Sequence, residues 1–273
     1  PWTKQQNMFD PKYLGGFKRW FKEYTSTFRM DSPAEQQNIQ LKITHTYGVC
    51  KAMREITQSL CMNEEQAARA ATIALFHDIG RFEQYKRYNT FKDAQSEDHA
   101  ELGIRILQEK QVLGQLPQAE QELIWTAIRW HNKMLLPQTS IPDDTLLYCK
   151  LIRDADKVDI FRVVSEYYTG PEADNVTLEL SLGIKSTISP AIAEYFLNHK
   201  MIKIEELKTR EDFKVLQLAW VHDLNFARTR ELIHERDYLG KISRTLPAGP
   251  LKEKIIAQLQ AYNQALPATN QEE

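Results

Sequence analysis

The sequence predicts an all-α protein. Apolar residues recur at intervals of three and four along most of its 273 residues, cap-forming residues and prolines punctuate those stretches at helix-like spacing, and no useful length of chain alternates as a strand would. With 42% hydrophobic and 26% charged residues, the chain can bury a sizeable core and needs no disulfide or partner copy to fold. It contains neither an internal repeat nor a glycine-rich phosphate loop.

From Pro11 to about Phe28, the residues Tyr13, Leu14, Phe17, Trp20, Phe21 and Tyr24 form one face of an amphipathic helix expected to pack across the main body. A second helix is expected from about Gln36 to Leu60, with Ile39, Ile43, Tyr47, Cys50 and Leu60 as buried candidates and His45 inside it. Asn63 and Gln66 read as a capping box, starting a helix through Ala68, Ala71, Ile73, Ala74 and Leu75. That helix ends at the pair His77-Asp78, and Gly80 follows where a helix would stop.

Arg81 to Gln95 is aromatic and charged, breaks the helical period, and is expected to form a loop over the site. Ser96 is expected to cap a helix to about Val112, placing His99 in its first turn near the positive end of the dipole. Pro117 can open a helix to His131-Asn132. A loop at Pro137 to Asp144 then leads into a long helix to about Tyr168 that carries Asp154, Asp156 and Asp159. Thr169 to Pro190 is read as a long connection. Helical patterns resume at Ile192 to Phe196, Phe213 to Val221, Phe226 to Tyr238 and Leu251 to about Leu266, before a frayed tail.

The net charge of -2 and pI near 6.5 give no broad basic field, which weighs against nucleic acid as an obligatory partner and favours small-molecule chemistry. The cysteines, Cys50, Cys61 and Cys149, are odd in number, lack CxxC spacing and suit a reducing cytoplasm. No apolar run approaches the roughly 20 residues a bilayer span needs, so no membrane partner and a cytoplasmic location are expected. The chain opens on Pro1 rather than Met, which leaves room for an upstream segment, and it carries no signal of oligomeric state.

In chain order the candidate metal ligands are His45, His77-Asp78, His99, His131 and Asp156, each on a different predicted helix apart from the doublet. Helix bundles build metal sites this way. Adjacent helical residues point about 100° apart, so the doublet can serve one metal or a metal pair only where its helix end faces a cavity lined by other helices. This order, with its flanking "LFHDIGRF", "SEDHAELG", "AIRWHN" and "IRDADKVDIFR", resembles the HD-domain superfamily of metal-dependent phosphohydrolases over roughly Gln36 to Tyr168.

The resemblance implies an HD-domain helical bundle at residues 36–170, preceded by a helix and connection at 1–35 and followed by a helical extension at 171–273 packed on that core. One metal would be held by His45, His77, Asp78 and Asp156, and a second by His99 and His131 with Asp78 bridging, so that His77 and Asp78 are central to catalysis. Asp154 and Asp156 both offer the last ligand. Asp156 matches the family's Ala-Asp-Lys/Arg pattern, which leaves Asp154 and Asp159 to support ligands or face solvent. A second doublet, His222-Asp223, lacks such partners and is read as structural, as are His199 and His234.

Imidazole and carboxylate ligands suit two divalent transition metals, among them Fe, Mn, Ni, Co and Zn, which can clamp a phosphate oxygen and turn a bridging water into hydroxide. Arg81, Lys133 and Lys157 are the candidates for binding the substrate phosphate. The aromatics from Phe82 to Phe91 could stack on a flat group, although Phe82 and Phe91 are expected in the core. The implied activity is hydrolysis of a phosphoester or phosphoanhydride in a small molecule, a nucleotide being one candidate. The same ligand order also resembles the HD-fold mixed-valent diiron oxygenases that oxidise inositol or phosphonates. A regulatory module with a vestigial site is a third reading, which the intact ligand set opposes.

Overall fold

Every regular element is helical among the residues that the computed structural model describes, 9–137, 141–170 and 186–264. Parts of the expected loop at 137–144, of the connection at 169–190 and of the tail fall outside those residues. The chain divides into two compact units, Pro1–Asp159 and Ile160–Glu273.

The first unit holds α1 (Tyr13–Ser26), α2 (Pro33–Ser59), α3 (Glu64–Phe76), α4 (Gly80–Tyr88), α5 (His99–Glu109), α6 (Gln118–His131) and the start of α7 (Asp143–Thr169). Local chemistry starts the helices where the sequence signals: Ser32 accepts from Glu35 N ahead of Pro33, and Asn63 and Gln66 exchange both bonds of a capping box. An aromatic seam joins α1 to the helices beneath it. Phe17 meets Phe76 edge-on at 5.8 Å, and Phe21 meets Phe82 at 6.0 Å. Burying each of these rings contributes about 1.5–3 kcal/mol.

Four local expectations change. Gly80 opens α4 instead of ending α3, because a Cβ there would lie 2.1 Å from the His99 carbonyl oxygen and 2.6 Å from Gly103 N. The glycine serves the close approach of α4 to α5, with Gly103 as its counterpart. Residues 81–88 are therefore helical, with Phe82 and Tyr85 three apart on the buried side, and Asn89 ends the helix with φ 51°. The cap of α5 is Asp98, which accepts from Ala100 N and Glu101 N, while Ser96 is bonded to Gln84 and the Lys92 carbonyl. Tyr47 and Leu60 are exposed rather than buried.

A buried ionic cluster pins three helices that carry candidate ligands. Arg69 on α3 forks onto Glu120 of α6 at 2.6 and 2.7 Å and donates to the Tyr148 hydroxyl of α7 at 2.9 Å. Arg153 of α7 donates to the Trp130 and Met134 carbonyls at 3.3 and 3.2 Å and to that of Lys133, satisfying the acceptor end of α6 beside His131.

The second unit contains the end of α7, α8 (Pro190–Leu197), α9 (Arg210–Ala219), α10 (Ala227–Glu235), α11 (Tyr238–Arg244) and α12 (Pro250–Gln264). Asp212 organises the start of α9: its carboxylate accepts from the backbone of Ser189, Lys208 and Thr209 while Thr209 caps the helix. The pattern read as one helix from Phe226 to Tyr238 is broken at Asp237, whose φ is 50°. None of the described helices is long and apolar enough to cross a membrane.

Candidate metal centre

His77 and Asp78 sit in the turn between α3 and α4, where the chain leaves one helix and has not entered the next. That interruption lets both side chains face one buried cluster of imidazoles and carboxylates. His77 Nδ1 donates to the Ala74 carbonyl at 2.8 Å, and at the end of α6 His131 Nδ1 donates to the Ile128 carbonyl at 2.6 Å. A carbonyl only accepts, so these bonds place the proton on Nδ1 and leave Nε2, with its lone pair, facing Asp78. Carboxylates do the same for the other two rings. His45 Nδ1 lies 2.8 Å from Asp159, and His99 Nδ1 lies 2.7 Å from Asp93.

The inward Nε2 atoms converge on Asp78, one pair to each oxygen. Oδ2 lies 3.7 Å from His45 and 3.8 Å from His77, whereas Oδ1 lies 3.2 Å from His99 and 3.7 Å from His131. Asp156 Oδ1 closes the first pair at 3.0 Å from His45 and 3.7 Å from His77. In the second pair the Nε2 atoms of His99 and His131 are 3.1 Å apart, near the roughly 3.3 Å separating two nitrogens on one tetrahedral ion. His45, His77 and Asp78 form one group able to hold a metal, and Asp78, His99 and His131 form another. His77 Nε2 tests that fit: it is buried and has no hydrogen-bond partner, which is costly unless a cation takes its lone pair.

Residues 43–160, which include all six of these candidate ligands, match the family model of the HD domain. This segment resembles an HD domain. For the most part HD domains are metal-dependent hydrolases, and the His/Asp cluster here is of the kind that binds divalent metal. Neither the curated proteins nor the solved structures provide a significant match.

Charge inside this cluster is balanced by pairing. Burial raises the cost of ionising Asp78, but Lys42 and the surrounding imidazoles hold its carboxyl well below the usual range. Asp156 is likewise held low, against burial, by His45 and His77. Burial alone would depress His45. Its bonds to Asp156 and Asp159 carry it instead up to about 9. His131 moves the other way because burial, with the neighbouring imidazoles, outweighs its bond to Asp78.

Of the cations expected at the phosphate, Arg81 is turned to internal work. Its guanidinium donates to Gln84, Asp93 and the Phe91 carbonyl and lies 3.5 Å from Asp78 Oδ1. Lys133 is paired with Asp98, and Lys157 lies half-buried one position past Asp156. Three residues beside the ligands had weaker sequence signals. Lys42 precedes His45 by less than one helical turn, which places both on one face of α2, and its ammonium lies 2.9 Å from Asp78 Oδ2. Asp159 is one turn past Asp156 by the same logic. Asp93 has no such register, because it comes from a short 3-10 turn, Asp93–Gln95.

Asp154 is fully buried and belongs to none of the metal-capable groups among the described residues. The second doublet also stays outside them. His222 packs on His199 with rings 4.2 Å apart, and Gln258 of α12 approaches His199 Nε2 at 3.2 Å. Phe82 is buried as expected, while Phe91 remains partly exposed with its ring 4.7 Å from that of Tyr85.

Proposed function

We propose that this chain is a phosphohydrolase that cleaves a phosphoester or phosphoanhydride bond of a small molecule at a centre of two divalent metals. The observation that carries the reading is the placement of Asp78, with one carboxylate oxygen turned to His45 and His77 and the other to His99 and His131. His45, His77, Asp78 and Asp156 would hold one ion, and His99, His131 and Asp78 the other. When bound, such a pair supplies Lewis acidity: it polarises a phosphoryl oxygen and lowers the pKa of water. The working segment is residues 36–170, with 1–35 and 171–273 as helical additions.

The chain's own residues prepare that chemistry in three ways. Acceptors on every Nδ1 lock the imidazoles with Nε2 inward, so little reorganisation is needed to engage a cation. Arg81 and Asp93 hold His99 from behind through a shared ion pair. The aromatic seam and the Arg69 cluster fix the helix ends from which the ligands project.

The test is a screen of phosphomonoesters, diesters and nucleotides against chain loaded with Mn, Ni, Co, Zn or Fe, run beside oxygen-uptake assays on inositol and phosphonates with the Fe form. Phosphate release in at least one metal form is expected. Oxygen consumption without phosphate release would transfer the site to the oxygenases. Metal content near zero after loading would leave a vestigial module.

A further inference from the structure

We propose that Lys42 is the residue that grips the substrate's phosphoryl group, and that Phe91 positions it. This rests on the phosphohydrolase reading and names the charge class of its substrate. The Lys42 ammonium lies 2.9 Å from Asp78 Oδ2, the same oxygen that His45 and His77 face at 3.7 and 3.8 Å. A positive group thus stands among the ligands where a cation belongs. Asp78 is the one carboxylate within ion-pair reach of Lys42 among the described residues. Once Asp78 is shared by divalent cations, like charges a few Å from the ammonium leave it needing another anion.

Position says where that anion comes from. The Lys42 and Asp156 side chains keep 18% and 17% of their exposure, against 0–5% for those of His45, His77 and Asp78, so around this first pair of imidazoles Lys42 and Asp156 are the groups that reach solvent. A phosphoryl group approaching His45 and His77 from that side meets Lys42. Two rival cations are engaged elsewhere, Arg81 through Nη1 with Asp93, Gln84 and the Phe91 carbonyl while its Nε faces the other oxygen of Asp78 at 3.5 Å, and Lys133 with Asp98.

Phe91 explains why Lys42 stays at this opening. Its ring lies 5.2 Å from the ammonium and 4.7 Å from the ring of Tyr85, whose hydroxyl accepts from Asn38 at 2.8 Å. With a cation and a neighbouring ring already against it, Phe91 is a support for Lys42 rather than a stacking platform for a base. An ammonium beside two divalent cations favours a dianion, so the group gripped is a terminal phosphoryl dianion in preference to a diester monoanion.

The experiment measures binding of inorganic phosphate, with dimethyl phosphate as the monoanionic control, to Mn-loaded full-length chain by calorimetry, with metal content read in parallel. Lys42→Met should weaken phosphate binding about tenfold or more, keep the wild-type metal content, and leave the weak binding of dimethyl phosphate unchanged. Lys42→Arg should retain most of the affinity. Phe91→Leu should lose a smaller factor, again with metal retained. Phosphate binding within twofold of wild type in Lys42→Met, loss of metal from it, or equal affinity of the wild type for the two anions would overturn the proposal. So would a loaded wild type that binds no phosphate. Phosphate binding that depends on Lys42 in a chain that hydrolyses nothing would sink the phosphohydrolase reading and leave this one standing. Should Lys42→Met misfold, Lys42→Gln carries the same comparison.

Discussion

At the scale of single residues, Asp78 and the four imidazoles are not equivalent, and their losses should differ. Asp78 touches both halves of the cluster, so Asp78→Ala should abolish binding of both metals and all hydrolysis while the chain stays helical. His99→Ala and His131→Ala should each lower the metal content from about two to about one per chain, because in the proposed two-ion arrangement both histidines serve the second ion. Metal analysis after dialysis reads this directly, and two metals retained in either variant would remove these histidines from the centre.

His45 sets the pH dependence. Its pKa is raised from 6.5 to about 9, so the stabilisation from its pairing with Asp156 and Asp159 is complete below pH 6.5 and is lost as pH rises through about 9. A metal must displace the proton on Nε2. Its affinity should therefore rise up to about tenfold per pH unit across that window and then flatten, with matching proton release in calorimetry. A flat profile would mean that His45 is not a ligand.

At the scale of elements, the crossing of α4 and α5 is the feature most exposed to a single methyl group. Gly80→Ala puts a Cβ 2.1 Å from the His99 carbonyl oxygen, and backbone on both sides must move. The expected cost is about 1–3 kcal/mol in urea unfolding, together with weaker metal binding, because the displaced backbone belongs to a ligand. Gly103→Ala should be milder, since its nearest atoms lie at 3.1 Å. Equal stability of wild type and Gly80→Ala would contradict the close approach. Gly48 guards a ligand's support in the same way: a Cβ there would lie 1.8 Å from Asp159 Oδ1 and push that carboxylate off His45.

At the scale of the whole molecule, the ligands come from five helices or their ends, and the Arg69 cluster ties three of those helices together. Arg69→Met leaves Glu120 buried without its partner and should cost about 3–5 kcal/mol in chemical denaturation. A loss below 1 kcal/mol, the range of exposed pairs, would show that the cluster is dispensable. Metal bound only by the folded chain adds about 2.7 kcal/mol at a free concentration a hundredfold above Kd, so a chelator should lower the melting temperature of the wild type but not of Asp78→Ala.

Helical periodicity and the capping box at Asn63 made the fold class legible, because helix spacing is written locally, and the resemblance of the ordered His and Asp positions to the HD domain singled out six residues that lie close together. The roles of Gly80, Arg81 and Lys42 were decided only in three dimensions. Gly80 looked like a helix stop, yet its partner is a carbonyl nineteen residues away on another helix, and a steric need between helices leaves no local mark. Arg81 and Lys42 are both basic residues near proposed ligands. Which cation pairs with the partly exposed Asp93 and which with the buried Asp78 Oδ2 depends on helix packing, since each ends beside the carboxylate that a neighbouring element brings to it.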